Sequence, residues 1–349
     1  MRVLVTGHHG YIGSVLVPVL LAAGHDVAGL DVFFYEGCDL TRGTEVPHRR
    51  LDVRDVRPEH LAGFDAVVHL AALSNDPLGD MRPELTDEIN FQATMSVASA
   101  AKTAGVERFV FASSCSMYGA ARPDEAVDET GDLRPMTAYA ESKVRCELAL
   151  TGLADDAFSP VYMRNATAYG ASPRLRLDVV LNNLVGWAYT TGRIRILSDG
   201  TPWRPLVHVQ DIAAATLAML EAPRELVHDQ AFNIGADSEN YQVAELAEIV
   251  REAIPGCVIE YAGDGDPDPR SYRVDFGKVS RTLPGLEFRW TAKAGAVELA
   301  DAYHAGGLTF EDFDGSRYTR VKCLKRLLAA GALDGELRPV EGWSRGAVA

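Results

Sequence analysis

Residues 2–13 read RVLVTGHHGYIG, an apolar run that breaks into three glycines at G-x-x-G-x-x-G spacing and leads into an amphipathic stretch over 11–24. Such a pattern predicts a buried strand, a tight turn and a helix start within a few residues. Gly7, Gly10 and Gly13, with Tyr11 and Ile12 among them, let the backbone come close to an anionic group. The free N–H groups at the helix start and the helix dipole favour a pyrophosphate there. Further runs rich in Val, Leu and Phe at 26–31, 65–70 and 107–113 alternate with helical patterns such as 83–104. That alternation predicts βαβ units, and so an α/β fold on a doubly wound parallel sheet covered on both faces. Runs at 159–163 and 231–234 predict that the sheet continues beyond the middle of the chain.

The second strand ends in Asp31. An acidic side chain there accepts hydrogen bonds from an adenosine ribose and repels a 2′-phosphate, which favours NAD over NADP. In LDVRD, Asp52 and Val53 suit the adenine, and in HLAALS, Leu70 precedes Ala71 and Ala72, which are small enough for a cofactor to lie against. Plain packing is the competing reading of these last two segments.

A second concentration of signal lies at FASSCSMYG, residues 111–119, where an apolar strand stops on a cluster of small polar groups. Ser113 and Ser114 fall at the carboxyl end of the fifth predicted strand, the side on which open parallel sheets bind ligands. Downstream, YAESK places Tyr139 and Lys143 four residues apart, on one face of a predicted helix. A neighbouring ammonium favours phenolate and makes the tyrosine a general base. A surface pair is the bland alternative, but with the strand-tip serines and the glycine loop the set suits hydride transfer at a carbinol carbon.

A net charge of −15 excludes general nucleic-acid binding, because a phosphate backbone needs a basic face. The five cysteines, Cys38, Cys115, Cys146, Cys257 and Cys323, are odd in number and lack CxxC spacing, which argues for reduced thiols and against a disulfide framework or a zinc site. No metal is expected. The strand begins directly after Met1 and no apolar stretch is long enough to cross a bilayer, so the expectation is a cytoplasmic protein with no membrane partner. After about residue 170 the chain becomes richer in loops. The expected division is a nucleotide-binding domain over 1–170, its sheet completed by segments near 205–235, a substrate-binding lobe over 171–330 with a helix near 316–332, and a loose tail over 331–349.

Taken in order, TGHHGYIG, Asp31, HLAA, FASSCSMYG, YAESK and PLVHVQDIA resemble the extended short-chain dehydrogenase/reductase family of nucleotide-sugar epimerases and dehydratases. The resemblance implies a Rossmann domain with a smaller C-terminal lobe over the substrate, tightly held NAD, a nucleotide-diphosphate sugar as substrate, and a homodimer formed by helices. It implies Ser114, Tyr139 and Lys143 as catalytic residues, with Ser113, Tyr139 and Lys143 also against the cofactor. Asn183 matches an asparagine at the nucleotide end of the sugar donor, and Arg204 and Arg270 match arginines that clamp its diphosphate. Thr167, in RNAT, stands where the family usually has an asparagine, so substrate contacts there differ. Cys115 and Ser116 occupy the places of the acidic pair that 4,6-dehydratases use for water loss, which argues against that route. Cys115 is expected to be a packing residue, His8 and His9 to offer backbone amides only, and His69 and His208 to satisfy backbone groups. The leading expectation is an NAD-dependent nucleotide-sugar epimerase acting at C4 through a transient keto sugar. A ketoreductase or decarboxylase of nucleotide sugars, and a non-catalytic NAD-binding regulator, are the alternatives.

Overall fold

The computed structural model describes residues 1–74, 82–120, 125–261 and 270–340. Residues 262–269, in the expected lobe, and residues 341–349 of the expected tail lie outside the described residues. Seven parallel strands form the main sheet: β1 (Arg2–Thr6), β2 (Asp26–Asp31), β3 (His48–Arg50), β4 (Ala66–His69), β5 (Arg108–Ser114), β6 (Ser159–Asn165) and β7 (Gln230–Ile234). Their order is β7-β6-β5-β4-β1-β2-β3. Successive side chains on a strand leave opposite faces. Accordingly Val3, Val5, Val68, Val110 and Phe232 join one apolar core, and Leu4, Val67, Phe109 and Phe111 join another. Continuous apolar runs, rather than alternating ones, are what a sheet buried on both sides requires.

Helices α1 (Gly13–Ala22), α2 (Ala93–Thr103) and α3 (Ala138–Thr151) follow β1, β4 and β5. Leu16, Val17 and Leu20 of α1 fill the first core, and Val97 of α2 with Cys146 and Leu150 of α3 fill the second. The helical path to α2 begins at Pro83 and contains a π-helical stretch, Asp87–Gln92. A third core is built around α4 (Val180–Thr191), α6 (Val243–Ala253) and α7 (Ala292–Ala305), whereas α5 (Val209–Glu221) returns to the first.

Two expectations need correction. The segment near 205 does not complete the main sheet. Trp203–His208 forms a separate three-stranded sheet, parallel to Thr167–Tyr169 and antiparallel to Asn240–Gln242. The reason is that β7 already occupies the free edge of β6, so the continuation of β6 beyond Ala166 supplies the partner instead. The late helix is also shorter than its pattern: α8 spans Arg320–Ala329, and the chain turns at Gly331 with φ +67°. Cys323, Leu324 and Leu327 of α8 pack into the second core, against the main sheet.

Candidate active site

The candidates derived from the sequence, from Gly7 through Tyr139 to Arg270, line one cleft of about 770 Å³ at the carboxyl ends of the central strands. At its cofactor end the glycines are required sterically. Gly7 has φ +71°, and a Cβ on it would stand 2.8 Å from the amide nitrogen of Ala71. A Cβ on Gly13 would meet Gly7 O at 2.4 Å, so the loop folds this tightly only because both positions lack side chains. No side chain caps the start of α1 at Ile12; Ser14 N donates to Gly10 O and Val15 N to Ile12 O, and the positive end of the helix dipole is left without a capping side chain over it. Asp31 is fixed at the end of β2: one carboxylate oxygen accepts from His9 N at 3.0 Å and the other from Phe33 N at 2.7 Å. Asp52 accepts from Arg54 N and is gripped by the Arg54 guanidinium at 2.6 Å, with Val53 beside it on the cleft. A cradle closed to side chains, an open helix start and a carboxylate at the strand end fit a dinucleotide.

The chemical end is organised by β5 and α3. Thr137 caps α3 by accepting from Ala140 N, so that Tyr139 and Lys143 lie about one turn apart on the cleft side. The Lys143 ammonium lies 5.5 Å from the centroid of the Tyr139 ring and 4.6 Å from that of Phe111, and it donates to Ala112 O at 2.7 Å. With only 4% of its surface exposed, Lys143 is pushed down to about 8 by burial, so near neutral pH most of it remains charged. Ser114 ends β5 in extended conformation, and its hydroxyl accepts from Ser116 N at 3.2 Å.

Neighbouring side chains go elsewhere. The Ser113 hydroxyl donates to Glu147 at 2.5 Å, and Arg164 grips the same carboxylate at 2.7 Å. Ser113 therefore lines the cleft with its hydroxyl turned to a buried ion pair. Cys115 is fully buried in the first core, its thiol donates to Arg164 O at 3.0 Å, and burial pushes its pKa well up. His69 sits between the hydroxyls of Thr6 (2.8 Å) and Thr94 (3.0 Å), side-chain rather than backbone partners, and burial pushes it down to about 3. His208 accepts from Gln210 N but also contacts Glu298 at 2.8 Å and stacks on Trp290. The expectation for His9 also needs correction: its ring contacts the Arg174 guanidinium while its carbonyl accepts from Arg174 Nε at 3.1 Å.

Toward the lobe, Thr167 opens the second sheet, and Asn183 on α4 donates to Leu177 O at 2.9 Å. Arg204 donates to the carbonyls of Trp203 and Arg270, tying the two candidate diphosphate arginines into one corner. Trp203 carries the Arg273 guanidinium over its ring at 4.9 Å.

The sequence reading missed four residues. Ser116 Oγ and Asn165 Oδ1 are buried cleft-lining atoms with no hydrogen-bond partner among the described residues. Asn165 is the register neighbour of Ser114, and the RNAT segment held the signal for it. Asn90, placed by the π-helical stretch, accepts from Leu73 N and donates to Leu73 O, bracing the loop after β4. No spacing in the sequence marks it. Arg176, which pairs with Asp178 and reaches Ser74 Oγ at 3.2 Å, also lines the cleft.

A family model described as the NAD dependent epimerase/dehydratase family matches residues 3–235. A UDP-glucose 4-epimerase of Corynebacterium glutamicum is 33% identical over 273 residues, covering 72% of this chain and 80% of that protein. UDP-glucuronic acid decarboxylase 1 of Arabidopsis thaliana is 29% identical over 293 residues, covering 81% of this chain and 65% of the relative. Among solved structures, MoeE5 in complex with UDP-glucuronic acid and NAD superposes with a TM-score of 0.74 at 28% identity, covering 87% of this chain and 99% of that one.

Proposed function

This chain belongs to the NAD-dependent epimerase/dehydratase family, and we propose that it epimerises a nucleotide-diphosphate sugar at C4 through a transient keto sugar. The observation that carries this reading is the convergence of Ser114, Tyr139 and Lys143 on the sheet end of a cleft that also holds the glycine loop. Held by the glycine loop and Asp31, NAD would supply the hydride acceptor and donor for the carbinol carbon. Tyr139 removes the hydroxyl proton in the first half of the cycle and restores it in the second. Lys143 supports the phenolate electrostatically, and Ser114 hydrogen-bonds the reacting oxygen. Ser116 and Asn165 offer their unpaired atoms to sugar hydroxyls, with Thr167 nearby. Asn183, Arg204 and Arg270 bind the nucleotide diphosphate. Elimination of water is disfavoured, since Cys115 is buried with its thiol protonated and Ser116 is no acid.

Similarity to a glucuronic acid decarboxylase supports a second reading, in which the same C4 oxidation precedes loss of CO₂. A panel of nucleotide sugars incubated in deuterated water and followed by NMR separates the two. C4 epimerisation gives a product without deuterium on carbon. Deuterium at a neighbouring carbon, or CO₂ release from a uronic acid substrate, would displace the leading reading. We further propose a homodimer in a reducing cytoplasm, with which five free, buried cysteines are compatible. No helix among the described residues is long and apolar enough to cross a membrane.

A further inference from the structure

The first residue of α8, Arg320, is 4% exposed and lines the cleft from the side of the 33–40 loop. Its guanidinium lies 3.9 Å from the centroid of the Tyr35 ring, and one nitrogen, Nη2, donates to Arg174 O at 3.1 Å. Among the described residues the other terminal nitrogen, Nη1, is buried without a hydrogen-bond partner. Burial is the largest influence on this guanidinium and disfavours its charge; Arg176 adds repulsion, and Tyr35 and Asp178 offset only part of it, so an unsatisfied buried donor here is costly. Arg176 has its own acid, Asp178, at 3.0 Å. An anion in the cleft would satisfy the orphaned donor.

The surroundings say which anion. Segment 170–174 is sewn onto the glycine loop: Tyr11 OH donates to Gly170 O, Ser172 Oγ donates to Tyr11 O, and Arg174 Nε donates to His9 O. Arg176, two residues on, acts electrostatically on both Tyr11 in that loop and Tyr35 beneath Arg320. Arg320 and Arg176 therefore line the same cleft as the glycine loop and the start of α1. α8 is anchored for this task, since Tyr318 OH and Arg317 donate to Asp39 O and Leu177 N donates to Tyr318 O.

We propose that Arg320, assisted by Arg176, caps the pyrophosphate of bound NAD, so that the C-terminal helix serves as a clamp on the cofactor. A guanidinium fork suits the two phosphate oxygens, and the glycine-loop backbone with the dipole end of α1 would hold the opposite side. The inference rests on NAD as the cofactor.

The test uses full-length protein freed of NAD, with binding of NAD, ADP-ribose and adenosine measured by calorimetry. Arg320→Met is expected to weaken NAD and ADP-ribose by roughly ten- to hundred-fold and to leave adenosine within about two-fold. Purified variant should also carry less NAD per chain after gel filtration. Equal weakening of all three ligands would assign Arg320 a packing role on Tyr35, and unchanged NAD affinity would remove it from the site; either result overturns the proposal. Should the methionine variant fail to fold, Arg320→Lys keeps the charge and loses the fork. It is expected to weaken ADP-ribose several-fold and adenosine not at all, and equal affinities in variant and wild type overturn the cap. Wild-type protein that binds neither NAD nor ADP-ribose would remove the premise as well as the cap.

Discussion

Tyr139 and Lys143 are side chains whose chemistry depends on where α3 begins. Thr137 caps the helix, Lys143 is buried beneath the phenol, and an ammonium that remains charged near pH 7 biases Tyr139 toward phenolate. Tyr139→Phe removes only the proton acceptor, so turnover should fall by roughly 100-fold or more while bound NAD stays. Steady-state rates and cofactor content on the same preparation check this, and near-normal turnover would refute the role. Ser114 and Cys115 make a paired comparison, being adjacent at the strand tip with one on the cleft and the other in the core. Ser114→Ala is expected to lose most activity, whereas Cys115→Ala keeps most of it and loses about 1 kcal/mol of stability. A folded, inactive Cys115→Ala protein would reverse the assignment. Asp31 holds both carboxylate oxygens toward backbone amides at the strand end, leaving lone pairs for a ribose. Asp31→Ala should reduce the preference for NAD over NADP by roughly ten-fold or more, read from the two binding constants. An unchanged ratio would mean that another group makes the choice.

Between elements, His69 is the fastening that joins β1 to α2. At the end of β4 it bonds Thr6 on one side and Thr94 on the other, and it lies over Phe109 and Phe111. Burial, followed by the charge of Lys143, lowers it to about 3 from an ordinary 6.5. Because the unfolded chain binds this proton more readily, the stability it contributes is complete above pH 6.5 and is lost as pH falls toward 3. The full slope for one such group is about 1.4 kcal/mol per pH unit. His69→Gln should therefore be less stable at neutral pH but show a shallower acid dependence, by about one proton between pH 6 and 4. Urea unfolding at several pH values measures it; parallel curves for variant and wild type would rule the linkage out. The π-helical stretch over Asp87–Gln92 acts at the same scale, since it brings Asn90 to the loop after β4.

For the molecule as a whole, two features of α3 bear on assembly. Arg145 of α3 pairs with Asp87 and stacks on Phe91 at 3.9 Å, while Leu148, farther along the same helix, is 71% exposed. If the dimer forms through helices, as the family resemblance implies, α3 with its exposed leucine belongs to the contact. Leu148→Glu should then shift the protein from dimer to monomer in analytical ultracentrifugation without changing its secondary structure. A wild-type monomer, or a dimer that survives the substitution, would exclude this face.

The sequence alone was enough for the parallel sheet, the glycine loop and the gathering of Ser114, Tyr139 and Lys143 at one cleft, because each signal is local: an apolar run, a glycine spacing, an i,i+4 pair on one helix. It was enough as well to flag the missing dehydratase acids. What it could not give depends on contacts between distant segments. Trp203–His208 reads as a strand, yet only the occupied edge of β6 sends it to a second sheet. Ser113 and Ser114 read alike, and only the buried Arg164–Glu147 pair turns the hydroxyl of one away. Asn90 and Arg320 carry no local pattern, and Asn165 is flagged only by the departure of RNAT from the family's usual segment. They become part of the site because the π-helical stretch, the register of β6 beside β5 and the return of α8 to the second core bring them to the same cleft or its supporting loop. Short-range sterics and periodicity are written along the chain, whereas the pairing of a buried polar atom with its partner exists only once the chain has closed on itself.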